Sequence, residues 1–183
     1  MNKFLTDALE LEKQKVPTGK LLEDPYHFWY IGKSYYDSTL GDYPLGMDHI
    51  KEYARRSIFY FGQYINFKHN YHETGRASGV DELGYFAMYA MGDMFKLCGN
   101  YEKALDCGMK AEEFAPSRNE HIVLQAECFK DLSDFDSMKV QTDRLMSPDR
   151  KLPFPEYNFL LNMEHYNDSG KYCEQLHQIA NQV

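Results

Sequence analysis

The 183-residue sequence predicts an all-α fold made of paired helices. Three observations predict it: apolar residues recur at intervals of three and four, Gly or Pro residues separate the segments with this pattern, and one unit returns after 34 residues. We expect about four helix–turn–helix repeats, stacked as a right-handed solenoid.

The clearest unit is the predicted second repeat, residues 82–116. Apolar spacing predicts a first helix over 85–97 and a second over 101–114, with a Gly99-Asn100 turn between them. Gly92 is the small residue that a close crossing of two helices needs, and Pro116 ends the second helix.

The same pattern predicts three further repeats, over 25–58, 117–148 and 153–183. Ser133 takes the place of the turn glycine in the third repeat. Boundary residues agree with these limits: Asp24-Pro25 is a cap followed by a first-turn proline, Ser117-x-x-Glu120 has the form of a capping box, and Pro148 ends the third unit.

Two segments do not fit the repeat. Residues 1–20 carry an apolar stripe that predicts a capping helix for the first repeat, and an insertion at 59–81 extends the second helix of that repeat to about residue 68. We expect the aromatic rings of the insertion to pack along the solenoid. The alternative is that part of this surface meets another subunit, which makes self-association a second prediction. The rings belong to Phe59, Tyr60, Phe61, Tyr64, Phe67 and Tyr71.

The order of Gly99, Tyr101, Ala104 and Pro116, after a helix with a small residue beside a large one, resembles the tetratricopeptide repeat (TPR). The resemblance covers residues 25–183 and is closest over 85–118. It implies a helical-repeat scaffold.

A narrower resemblance lies in "LLEDPYHFWYIGKSYYDSTLGDYPLGM" and "YFAMYAMGD". Both are similar to the TPR segment that follows the catalytic domain in some family 2 glycosyltransferases. The sequence does not show the strand–helix alternation of that catalytic domain, and its one Asp-x-Asp sequence, Asp134-Phe135-Asp136, lies within the predicted third helical repeat. The resemblance therefore implies an accessory or remnant module, which assists a separate catalytic subunit or contacts glycan.

Composition narrows the classes of partner. Twenty basic and 28 acidic residues give a formal net charge of −8, and no basic run is longer than a pair such as Arg55-Arg56. A surface that follows nucleic-acid phosphates is therefore not expected.

Several features lead us to expect a cytoplasmic protein with no membrane partner. The N-terminal "MNKFLTDALELEKQK" is charged throughout, and no stretch approaches about 18 consecutive apolar residues. The four cysteines stand singly, which is typical of reduced thiols; they are Cys98, Cys107, Cys128 and Cys173.

We expect no catalysis, no cofactor and no metal. The sequence has no P-loop, no Gly-x-Ser-x-Gly and no Gly-x-Gly-x-x-Gly. His69-x-x-His72-Glu73 resembles a metal-ligand cluster, and a small metalloenzyme built on it is the third hypothesis. Its order matches no zinc-enzyme motif, so we interpret it as a surface histidine pair.

The first helix of each repeat should line a concave groove that is aromatic at one end and acidic at the other. We predict that this groove binds a peptide or partner helix with apolar anchors and some positive charge. Trp29 and Ala90 stand where a clamp for acidic C-terminal tails would need polar groups, which disfavours that ligand. The predicted groove residues are Tyr26, Trp29, Lys33, Tyr36, Phe86, Tyr89, Asp93, Lys96, Glu127 and Lys130.

Overall fold

The computed structural model describes residues 25–41, 46–72, 81–147 and 149–150, with side chains only as far as Phe67 in the second stretch. The predicted capping helix at 1–20, residues 73–80 of the insertion and the fourth repeat at 153–183 lie outside the described residues.

The part of the chain that the structure describes contains only helices, which confirms the all-α prediction. The six helices are α1 (Tyr26–Leu40), α2 (Met47–His72), α3 (Glu82–Leu97), α4 (Tyr101–Phe114), α5 (Glu120–Asp131) and α6 (Phe135–Leu145). The predicted bounds of α4 are confirmed. Helix α3 begins three residues earlier than predicted because the Asp81 carboxylate caps it by accepting a hydrogen bond from the Gly84 amide.

The capping box predicted at Ser117 is wrong. Helix α5 begins at Glu120, and Asn119 precedes it without a side-chain cap. The Glu120 carboxylate instead accepts hydrogen bonds from the Asn119 amide at 3.1 Å and from the Arg118 guanidinium. These local partners leave Ser117 before the helix rather than at its cap.

The chain divides into two compact units, the first ending at Pro116 and the second beginning at Ser117. In the first, α1 packs on α2 and α3 packs on α4, while α2 and α1 both contact α3. In the second, α5 packs on α6.

The main core of the first unit lies between α1, α2 and α3. Phe61 and Tyr64, both from the predicted insertion, are fully buried there with Ala54 of the same helix. Phe59 of the same segment stays 58% exposed. Tyr60 is half-buried and stacks on the buried Tyr35 at 6.2 Å. Packing therefore accounts for Phe61, Tyr64 and Tyr60 and leaves Phe59 in solvent.

The same turn joins α3 to α4 and α5 to α6. Gly99 has φ +78° and Ser133, 34 residues later, has φ +60°. At each turn the amide of the next residue donates a hydrogen bond back to a carbonyl of the preceding helix. Asn100 donates to the Phe95 carbonyl and Asp134 to the Phe129 carbonyl, each at 2.9 Å. This is the Schellman arrangement, in which a left-handed residue ends one helix.

Each of these junctions also starts the next helix with the same kind of cap. The Asn100 side chain accepts a hydrogen bond from the Lys103 amide, and the Asp134 carboxylate accepts one from the Ser137 amide. The 34-residue period seen in the sequence is thus reproduced in backbone geometry at both junctions.

Opposite substitutions at the two left-handed positions should have opposite effects. Gly99→Ala is expected to lower the free energy of unfolding by about 1 kcal/mol, because a Cβ is disfavoured at positive φ. No atom lies within 4 Å of that Cβ position, so the cost is in the backbone alone. Ser133→Gly is expected to raise stability by a similar amount. Denaturant unfolding followed by circular dichroism checks both, and two shifts of the same sign would contradict the assignment.

Two glycines inside helices differ in what surrounds them. A Cβ on Gly32 of α1 would lie 3.0 Å from ring atoms of Phe61, which is fully buried and closely packed. A Cβ on Gly62 of α2 would meet only the Met91 methyl, at 3.9 Å. Gly32 is therefore required by the close approach of α1 to α2, whereas Gly62 has no such steric requirement.

Alanine at these two positions should separate packing from helix propensity. Gly32→Ala is expected to destabilise the protein by about 1–3 kcal/mol, because Phe61 must move in a full core. Gly62→Ala is expected to stabilise it by about 0.5–1 kcal/mol, because alanine favours the helix and clashes with nothing. Midpoints of urea unfolding measure both, and a neutral Gly32→Ala would show that Phe61 has room to move.

Candidate functional site

The contact between α1 and α3 brings together half of the predicted groove residues. We call this set the α1–α3 aromatic surface: Trp29, Lys33 and Tyr36 from α1, with Phe86 and Asp93 from α3. The three α1 residues lie at intervals of four and three, so they share one face of the helix. The predicted first helices of repeats one and two therefore meet through the faces that the sequence assigned to the groove.

Trp29 is fixed at the centre of this surface. Its indole Nε1 donates a hydrogen bond of 3.3 Å to the Leu83 carbonyl oxygen in the first turn of α3. Its ring centroid lies 5.6 Å from that of Phe86 and 6.3 Å from that of Phe61. Trp29 remains half-buried, so part of the ring is held in place by the core while another part meets solvent.

Charged groups surround the rings. The Lys33 ammonium pairs with the Asp37 carboxylate one turn later in α1 and lies 5.8 Å from the centroid of the Phe86 ring. This is a cation–π distance. The surface therefore presents a positive charge directly beside its aromatic rings.

Tyr36 differs from its sequence prediction, which placed it outward in the groove. It is only 7% exposed, because its ring packs edge-on against Phe86 at 5.6 Å. Its hydroxyl donates a hydrogen bond of 3.2 Å to Asp93 Oδ2. Burial raises the pKa of the Tyr36 phenol far above its usual value, and the nearby Tyr89 and Asp93 raise it further.

Three other predicted residues lie elsewhere in the first unit. Tyr26 is 48% exposed, with its ring 6.4 Å from that of Tyr64 in α2. Tyr89 is half-buried and stacks on Tyr85 at 6.4 Å, in a cluster that includes residues of α4. Lys96 is half-buried in the last turn of α3.

The remaining two predicted residues, Glu127 and Lys130, belong to α5 in the second unit, where both are half-buried. The aromatic part of the predicted groove is thus a surface of the first unit, and these two residues are described with their own unit.

The sequence did not reveal two features of the first unit. One is the role of Phe61, which lies in the insertion. Its buried ring contacts the rings of both Trp29 and Phe86. The other is a cleft of about 660 Å³ between α2, α3 and α4. Gly62, a helix-breaking residue within a 26-residue helix, was the available signal for the cleft.

A search for metal sites finds no group of three or more His, Cys, Asp or Glu residues within the described part of the chain. The side chains of His69, His72 and Glu73 lie outside the described residues, so the metalloenzyme hypothesis stays a prediction. None of the described helices is long and apolar enough to cross a membrane.

Comparison of the chain with protein-family models, curated proteins and solved structures finds no match in any of the three.

The raised pKa of Tyr36 predicts how stability changes in alkali. The unfolded phenol ionises with a pKa near 10, whereas the folded phenol stays protonated well above it. This contribution is therefore fully present below about pH 10 and is lost as the pH rises further. Tyr36→Phe should make the alkaline fall in the free energy of unfolding less steep. At neutral pH it should cost about 0.5–1.5 kcal/mol for the lost hydrogen bond to Asp93.

The matched control is Tyr30→Phe, because Tyr30 is 59% exposed in the folded protein. Urea unfolding at a series of pH values measures both variants. Equal alkaline slopes for Tyr36→Phe and the parent protein would contradict the assignment.

Proposed function

We propose that the chain is a non-catalytic protein–protein interaction module of the TPR type, which binds a peptide or partner helix on its α1–α3 aromatic surface. The observation that carries the proposal is the half-exposed pair Trp29 and Phe86, held 5.6 Å apart by contacts with the buried Phe61. Rigid aromatic side chains with one exposed part are common anchors of protein interfaces.

The repeated turn geometry supports the TPR part of the proposal. Gly99 and Ser133 have the same left-handed backbone and the same return hydrogen bonds at an interval of 34 residues. The contact of α1 with α3 further supports it, because the first helices of successive repeats are neighbours in such stacks. We propose the right-handed solenoid on this basis.

The rigidity of the surface supports peptide binding. Trp29 is tied to Leu83 by its indole hydrogen bond, and Tyr36 is tied to Asp93 by its hydroxyl. A surface whose side chains are ordered before binding loses less conformational entropy when a partner arrives. A flexible peptide with one or two apolar side chains is the ligand that gains most from such preorganisation.

The charges indicate which partner side chains fit beside the anchors. Lys33 already places an ammonium near the Phe86 ring, and Asp37 neutralises it. A partner lysine or arginine could take the same position over Phe86 and share the Asp37 carboxylate if Lys33 moved aside. This agrees with the prediction of a partner with apolar anchors and some positive charge.

A second candidate follows from the same ring. A partly exposed tryptophan ring is also a surface on which sugar rings stack, and the carboxylates of Asp37 and Asp93 lie on the two helices that carry Trp29 and Phe86. The accessory role in glycosyl transfer, suggested by the sequence resemblance, would use the surface in this way. A glycan ligand is therefore one outcome of the test below.

Trp29 is the only tryptophan of the chain, so its fluorescence reports on this surface alone. Partners that co-purify with the tagged protein from its native cell would be identified by mass and titrated as tryptophan-free peptides against the purified chain. We expect a shift in Trp29 emission on binding. Asp37→Asn combined with Phe86→Ala should weaken the binding at least about tenfold, because it removes both the carboxylate that would attract the partner's positive charge and an aromatic ring of the surface.

The matched control is Phe59→Ala, which removes another exposed aromatic ring, from α2. Circular dichroism checks that each variant keeps its helix content. Equal affinity in the surface variant and in the control would contradict the proposal. An emission shift with oligosaccharides, without any binding peptide, would favour the glycan candidate.

A further inference from the structure

The cleft between α2, α3 and α4 is a second surface of the first unit. Its floor is apolar and is formed by Met88, Met91 and Phe95 of α3. Ile65 and Asn66 line it from α2, and α4 forms the opposite wall. Methionine side chains adapt to the shape of what they contact, which is why they are frequent in surfaces that bind other helices.

Gly62 lines the cleft from α2 and has no side chain to fill it. A glycine inside a helix costs about 1 kcal/mol relative to alanine, so it usually has a packing reason. Gly32 has one, because Phe61 fills the space beside it. At Gly62 the nearest atom to a Cβ would be the Met91 methyl at 3.9 Å, so the unfilled space opens to the cleft rather than to a packed neighbour.

The α4 wall carries a row of exposed charges with alternating sign: Lys103, Asp106, Lys110 and Glu113. Their spacing of three, four and three residues keeps all of them on one side of the helix. Asp106 and Lys110 pair within the helix at 2.9 Å and are each more than half exposed. The Lys103 ammonium lies 5.6 Å from the centroid of the Phe95 ring at the cleft floor.

The charges of this row complement those of an identical row that runs in the opposite direction. If a second α4 lies antiparallel to the first, with the midpoint at residue 108, Lys103 of each copy stands opposite Glu113 of the other. Asp106 then stands opposite Lys110. Every opposed pair has opposite charges, which is the condition for a two-fold contact between identical surfaces.

We propose that two copies of this chain associate through their clefts, with their α4 helices antiparallel across a two-fold axis. The 54% exposed Met109 adds apolar surface to this contact. It shares a helix face with Asp106 and Glu113, so it lies beside the charged row at the edge of the contact.

The contributions to this contact differ in kind. Ion pairs between exposed side chains contribute little each, so the charges fix register and orientation rather than supply most of the affinity. The apolar floor and Met109 supply the burial that drives association. A weak dimer that depends on protein concentration and loosens with added salt is expected.

Charge reversal and charge exchange test the register. Sedimentation equilibrium over a concentration series should show a monomer–dimer equilibrium for the parent protein. Lys103→Glu should raise the dissociation constant at least about tenfold, because the two-fold axis creates two repulsions with Glu113 at once. The double variant Lys103→Glu/Glu113→Lys exchanges the charges and should restore association to within about threefold of the parent protein.

Folding does not obscure this test. Glu at position 103 lies in the first turn of α4 and Lys at position 113 in the last turn, where the helix dipole favours these charges. Lys139→Glu is the matched control, since Lys139 is an exposed lysine that pairs with an Asp four residues later on α6. It should leave the dissociation constant unchanged.

Three results would overturn the proposal: a parent protein that stays monomeric at every concentration, a Lys103→Glu variant that associates as well as the parent, or an exchanged variant that stays as weak as the single one. A different protein bound in the cleft of a monomeric chain would also overturn it. None of these variants changes the α1–α3 aromatic surface, so failure here leaves the peptide-binding proposal to its own test.

Discussion

The close approach of Phe61 to Gly32 is the contact on which the first unit depends. Phe61 is fully buried, and the missing side chain at Gly32 lets its ring lie against the α1 backbone. From there the ring reaches Trp29 at 6.3 Å and Phe86 at 6.0 Å, so one side chain of α2 touches both α1 and α3. A larger residue at position 32 would move Phe61, which supports the half-buried rings of Trp29 and Phe86. The same side chain, Phe61, therefore packs the core and positions the rings of the candidate binding surface.

Helix α3 distributes its residues between two surfaces. Phe86 and Asp93 lie two turns apart and contact α1, whereas Met88, Met91 and Phe95 form the floor of the cleft on the side of α2 and α4. Small residues between them, Ala87 and Ala90, are fully buried. Because alanine takes little space, α3 can approach α1 and α2 closely and still present two different chemical faces. One face is aromatic and rigid, and the other is rich in methionine and adaptable.

The sequence predicts features that depend on neighbouring residues, but it does not predict those that depend on contacts between distant parts of the chain. The bounds of α4 and the turn at Ser133 were predictable because apolar spacing, capping residues and left-handed turn positions are properties of a few neighbouring residues. The burial of Tyr36 was not predictable in this way. It is decided by Phe86 and by Asp93, which lies 57 residues later in the chain. The cleft was missed for the same reason, since its walls come from three helices and only Gly62 marks it locally.

The two junctions show why a regular repeat leaves room for functional variation. The α3–α4 and α5–α6 turns share hydrogen bonds and left-handed geometry, although one uses glycine and the other serine. Serine at positive φ is strained by about 1 kcal/mol, and the side-chain cap by Asp134 offsets part of that cost by starting α6 at once. The repeat therefore constrains backbone geometry more strictly than residue identity. Positions outside the turn, such as Trp29 and Lys103, can then differ between helix pairs and give each surface its own chemistry.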